Sequence, residues 1–154
     1  MESAAESRRE EELPIKMNDT LRDRMEKVSE RLKTLGDPFA QYDYLLMKGM
    51  EQDDLPEIRS DSCRIAGCKT AIWIRLLPSD GGGVCFLADS DSLLVKGALS
   101  LMKEIYSGVS REEAAENPPV FLEAISDEVI YPDIKTGGLN KCWAAIASYS
   151  TDRD

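Results

Sequence analysis

Cys68 is the residue of this chain best placed for chemistry. It follows Ile65-Ala66-Gly67, precedes a run of strand-forming residues, and lies among the cations Arg64, Lys69 and Arg75. A thiol with a reference pKa of about 8.5 is only a few per cent thiolate at neutrality, and neighbouring cations with local exposure raise that fraction. Gly67 lets the backbone turn sharply beside the sulfur. The competing reading is a half-buried cysteine at a loop–strand junction. Cys63, on the same segment, admits three readings: a bystander, a resolving thiol for Cys68, or a second ligand of a metal site. Spacing argues against the metal, because plant-type ferredoxins add a Cys-x2-Cys absent here and structural zinc sites use tighter pairs. Cys142 shares a helical stripe with Leu139, Ile146 and Tyr149, and Cys85 alternates inside an apolar strand, so both read as core.

The chain has no histidine. That excludes Ser-His-Asp triads, Cys-His dyads and His-ligated zinc or haem. With 29 acids against 19 Lys plus Arg, the formal charge of -10 disfavours nucleic acid and anionic membrane as partners. No uncharged apolar run approaches the roughly 18 residues of a membrane span. The total conceals a local reversal: Ser62 to Leu77 carries Arg64, Lys69 and Arg75 but no acid, and Cys63 and Cys68 both lie in it. The length fits one domain. Residues 1–18 read as an acidic, disordered tail and 19–150 as a single domain. With neither a signal core nor a transit-peptide composition, the expected address is the cytoplasm, where thiols stay reduced.

Several elements must position Cys68. Leu21, Met25, Val28, Leu32 and Leu35 recur at helical spacing up to Gly36, with Arg22, Arg24, Lys27 and Arg31 on the wet side. Asp37-Pro38 opens a second helix carrying Phe39, Tyr42 and Leu46 to Gly49. The acidic stretch Glu51–Asp61 reads as a surface connection. Ala71–Leu77 and Val84–Ala88, joined by a Pro-Ser-Asp-Gly-Gly-Gly turn, predict a hairpin. Leu94, Ala98, Leu101 and Ile105 then mark a buried helix, with Asp89-Ser90-Asp91 offering capping oxygens. Ser110-Arg111-Glu112-Glu113 reads as a capping box opening a short helix that Pro118-Pro119 breaks, Val120–Ile125 as the start of the next helix, and a last helix is expected from Gly138 to about Tyr149. Strands flanked by helices at both ends suggest an α+β fold.

Two blocks carry a resemblance. Arg59–Trp73, RSDSCRIAGCKTAIW, and Ala88–Gly97, ADSDSLLVKG, resemble the SufE family of sulfur-acceptor proteins, which has a basic residue, an aliphatic, any residue, Gly-Cys, and a Trp five places after the Cys. These are Arg64, Ile65, Ala66, Gly67, Cys68 and Trp73. The family's Gly-Asp-Ser-Asp and Val-Lys-Gly appear as Ala88-Asp89-Ser90-Asp91 and Val95-Lys96-Gly97. The chain departs from the pattern at Cys63, where the family usually has Asn, and at Lys69-Thr70, often Gln-Ser. It departs again at Lys135, where the family has Arg, a planar bidentate donor that Lys cannot replace.

The resemblance implies a small antiparallel sheet of about three strands flanked by helices, related to the IscU-type scaffold, with Cys68 on an exposed loop supported by Arg64, Gly67 and Lys69. It implies a sulfur acceptor and activator of a cysteine desulfurase, delivering sulfur to a downstream iron–sulfur scaffold. The pyridoxal phosphate belongs to the desulfurase, and no cofactor or metal of the chain's own is expected. Asp89 and Asp91 would cap the helix beside the loop, and Lys135 is the candidate partner contact. A homodimer is left open. The alternatives are an IscU-like metal or iron–sulfur scaffold using several of Cys63, Cys68, Cys85 and Asp91, and a dithiol oxidoreductase using Cys63 and Cys68.

Overall fold

The computed structural model describes residues 20–149, so the acidic tail of residues 1–18 lies outside the described residues. Helix α1 (Leu21–Leu35) buries Leu21, Met25, Val28 and Leu32 on one face. A reciprocal capping box between Thr20 and Asp23 opens it, and Gly36 at φ +88° closes it. Its arginines are not all on a wet face. Arg24 donates to the carbonyls of Ile105 (3.2 Å) and Ser107 (2.9 Å), and Arg31 makes a two-pronged pair with Glu104 at 3.1 and 2.9 Å. Both therefore tie α1 to the end of a later helix.

Asp37 caps helix α2 (Pro38–Met50), accepting from the Ala40 amide at 2.9 Å. The predicted hairpin forms from β1 (Ile72–Pro78) and β2 (Val84–Ser90), antiparallel, with Ile72 opposite Ser90 and Pro78 opposite Val84. Ile72, Ile74, Val84 and Phe86 face the core, where helix α3 (Leu93–Tyr106) covers the sheet. Cys85 falls on the opposite parity of β2 and is half-buried, so it is not an inner-face core residue. Helices α2 and α3 approach closely through two glycines. A Cβ on Gly49 would collide with the Leu93 carbonyl, and one on Gly97 with that of Leu45.

The sheet has two strands, not three. What would be the third is a single antiparallel bridge, Arg64 to Trp73, followed by the Ile65 amide donating to the Ile72 carbonyl at 2.8 Å. Pairing stops there because the chain turns away at Gly67, whose φ is +77°. The acidic connection does more than link elements. It crosses the outer face of the hairpin and buries Ile58 completely.

After α3 come helix α4 (Arg111–Glu116) and a 3-10 turn at Val120–Ala124, where a longer helix was expected. Two consecutive prolines, each without an N–H, precede that turn. Ser110 caps α4, but Glu113 completes no box and instead accepts from the Leu21 amide at 3.3 Å. Buried Gln41 pins the 3-10 turn, donating to the carbonyls of Leu32 (3.2 Å) and Ala124 (2.7 Å) and accepting from the Ser126 amide (2.7 Å). The last helical stretch starts earlier than Gly138: a π-helical turn (Ile134–Leu139) runs directly into helix α5 (Asn140–Ala147). No helix among the described residues is long and apolar enough to cross a membrane.

Candidate functional site

The loop carrying Cys68 runs from the Arg64–Trp73 bridge to the start of β1. Its base is held a second time by Ser90, whose hydroxyl donates to the Ala71 carbonyl at 2.7 Å. Within this frame Cys68 is half-buried, not fully exposed. Its side chain packs on Gly138 of the π-helical turn, where an added Cβ would lie 2.7 Å from Cys68 Sγ and 2.8 Å from Ile72 Cδ1. The sulfur has an apolar seat between a strand and a glycine.

The expected cations are distributed differently from the reading of the sequence. Arg64 is exposed and lies over the Trp73 ring at 5.8 Å from its centroid, beside Arg59 at 4.7 Å. Arg75 donates to the Glu57 carbonyl at 3.2 Å and interacts with Cys63. Lys69 is exposed beside Cys68. The cation that grips the loop is one not foreseen: Lys141 of α5 donates to the Ala66 carbonyl at 2.7 Å and sits where a Cβ on Gly67 would point. Lys141→Met removes one hydrogen bond on an exposed surface, so the fold should tolerate it while the loop opens more often. Alkylation of Cys68 by iodoacetamide, followed by peptide mass, should accelerate roughly two- to tenfold; an unchanged rate would show that Lys141 does not restrain the loop.

Cys63 occupies a 3-10 turn (Asp61–Cys63) on the outer side of the hairpin. Burial works to raise its thiol, but hydrogen bonds from Ser60, Arg75 and Ser62 and the Arg75 charge outweigh it, holding the thiol below its ordinary value. Cys142 is the opposite case. It is fully buried, and burial, with the charge of Cys68 adding to it, pushes its thiol up to about 12. Among the described residues no three of Cys, Asp and Glu converge as a metal-ligating group.

Three expected roles are corrected by geometry. Ser92, not Asp89 or Asp91, caps α3, accepting from the Val95 amide at 3.3 Å. Asp89 is instead a fully buried ionic hub: it accepts from Arg59 Nε (2.8 Å), the Leu55 amide (2.9 Å) and the Ser90 amide (2.8 Å), and lies 3.4 Å from Lys96 Nζ. Burial disfavours its carboxylate, but Arg59, the two amides and the Lys96 charge outweigh that and hold it below the usual carboxylate range. Lys96 pairs in turn with Asp54 at 2.6 Å. Asp91 is exposed at the strand end. Lys135 does not present its ammonium freely to a partner. It is buried, donates to the Ile125 carbonyl at 2.6 Å and pairs with Asp127 at 2.7 Å, fastening the π-helical turn to the segment before it.

A small α+β scaffold with one half-buried cysteine on a loop clamped at both ends defines a thiol-bearing class of protein. Residues 26–149 match the model of the SufE family, described as an Fe-S metabolism associated domain, and the chain belongs to that family. Its relatives agree. A SufE-like protein of Synechocystis is 29% identical over 125 residues, covering 80% of this chain and 78% of that protein. The sulfur acceptor protein CsdE of Escherichia coli is 26% identical over 108 residues, covering 69% of this chain and 74% of its own length. SufE-like protein 1 of Arabidopsis thaliana, named as chloroplastic/mitochondrial, is 26% identical over 132 residues; the match covers 84% of this chain and only 33% of that protein.

Proposed function

We propose that the chain accepts sulfur on Cys68 from the persulfide of a pyridoxal-phosphate cysteine desulfurase and passes it to iron–sulfur cluster assembly. The observation that carries this reading is the seat of Cys68, a half-buried thiol on a clamped loop at the Gly-Cys position of the family pattern. The step is thiol exchange. The Cys68 thiolate attacks the terminal sulfur of the donor's persulfide, the donor's S–S bond breaks, the donor cysteine leaves as thiolate, and Cys68 retains the sulfur as its own persulfide. No base, metal or cofactor of this chain takes part, and the carbon–sulfur cleavage belongs to the partner's cofactor. On this reading the protein is a carrier and activator and not a stand-alone enzyme. The Escherichia coli relative CsdE, named a sulfur acceptor protein, supports it.

The test incubates the full chain with a cysteine desulfurase and free cysteine, then locates added sulfur by peptide mass. Wild type and Cys63→Ser should gain one sulfur atom on the Cys68 peptide, and Cys68→Ser should gain none. Sulfur found only on Cys63 or Cys85 would overturn the assignment.

A further inference from the structure

Cys68 packs on the helical turn that leads into the helix carrying Cys142. Gly138 and Cys142 are separated by one helical turn across the junction of the π-helical turn and α5. Helical side chains lean back toward the helix N-terminus, so the Cys142 thiol leans over the turn that holds Gly138. No side chain stands at Gly138, and Cys68 Sγ packs 2.7 Å from where its Cβ would be. Cys68 from the loop and Cys142 from the helix are thus brought to the same helical turn. The charge of Cys68 acting on Cys142 is the electrostatic signature of that proximity. Cys63, the partner suggested by sequence spacing, is engaged with Ser60, Ser62 and Arg75.

We propose that Cys142 is the resolving thiol of Cys68, closing a Cys68–Cys142 disulfide when a peroxide oxidises Cys68, the half-buried and more accessible member of the pair. In the first step the Cys68 thiolate attacks one peroxide oxygen, the O–O bond breaks, Cys68 becomes a sulfenic acid, and the departing hydroxide takes up the proton the thiol had shed and leaves as water. In the second, Cys142 attacks the Cys68 sulfur, the S–O bond breaks, and a second water leaves with the Cys142 proton. Two thiols are oxidised and one peroxide is reduced. Cys142 is fully buried, so it can reach only a sulfur already inside the fold, and Cys68 is the cysteine seated on the turn beside it. The bridge protects Cys68 from irreversible sulfinic acid and is reopened by a dithiol. If Cys68 is the sulfur acceptor, as proposed above, the same bridge halts sulfur acceptance during oxidative stress.

Reduced full-length protein, freed of reductant and exposed to a small excess of hydrogen peroxide with no desulfurase present, should lose two hydrogens. Blocking with N-ethylmaleimide and proteolysis should then yield a Cys68–Cys142 linked peptide that dithiothreitol separates. In Cys142→Ala, Cys68 should advance to sulfinic acid under the same treatment. A Cys63–Cys68 or intermolecular bridge in wild type, sulfinic acid on wild-type Cys68 without a bridge, or a Cys68 that stays reduced would each overturn the proposal. Because the desulfurase is absent, these outcomes are independent of whether Cys68 accepts sulfur.

Discussion

Gly138→Ala is expected to drive Cys68 out of its seat while leaving the fold in place. The new Cβ would lie within 2.7 Å of Cys68 Sγ and 2.8 Å of Ile72 Cδ1, closer than unstrained atoms approach. Both obstructing atoms are side-chain ends, so the structure yields by moving them and not by breaking the π-helical turn. Of the two, Ile72 is fully buried and paired in β1, whereas Cys68 sits on a loop with solvent on its other side. Cys68 is therefore the one to move. Overpacking of this kind costs about 1–3 kcal/mol. If that strain falls on the seated state of the loop, its opening equilibrium shifts by roughly 5- to 150-fold. Alkylation of Cys68 should accelerate by that order, and the urea midpoint should fall by no more than the strain itself, about 1–2 M at most. A large fall in the midpoint with no gain in Cys68 alkylation would show that the strain is taken by the core instead.

The parts of this molecule governed by local rules were readable from its residues. The stripe of Leu21, Met25, Val28 and Leu32, the Asp37-Pro38 start and the Gly-rich turn between β1 and β2 each gave the element they predict. What was hidden depends on who sits opposite whom. Arg24 and Arg31 look like solvated charges on α1, yet they serve carbonyls and a carboxylate of α3, residues far off in sequence. Asp89 has the composition and place of a cap, but its alternation on β2 turns it into the sheet's outer layer, toward Arg59 and Leu55. The Gly67-Cys68 pair was visible as a reactive loop, while its seat was not, because Gly138 and Lys141 come from the far end of the chain. The one local hint was Gly138 followed by Cys142 at helical spacing, which reads as ordinary core until the loop is placed against it.

Asp89→Asn should produce the largest loss of stability of any single polar change near the site. The substitution keeps the shape and the acceptor for one amide, but removes the charge that Arg59 and Lys96 both face. Removing one member of a fully buried ion pair destabilises by 3–5 kcal/mol. Here Arg59 is one-third exposed and Lys96 keeps Asp54, so about 2–3 kcal/mol is the expected loss, seen as a urea midpoint lower by roughly 1–2 M. The loss must depend on pH with a definite sign. Asp89's carboxyl is held below the usual carboxylate range in the folded state, so its contribution is complete above the unfolded value near pH 4. It disappears as pH falls through the folded value. Wild type and Asp89→Asn should thus differ most near neutrality and converge in acid, and a gap that stays constant down to acid pH would refute an electrostatic origin. The same change should separate the two loop cysteines. Arg59 leads directly into Ser60, Ser62 and Cys63, so freeing it should loosen the hydrogen-bonded nest of Cys63 first. Cys68 is held from the other side by Ser90, Lys141 and Gly138, and its alkylation rate should rise less than that of Cys63.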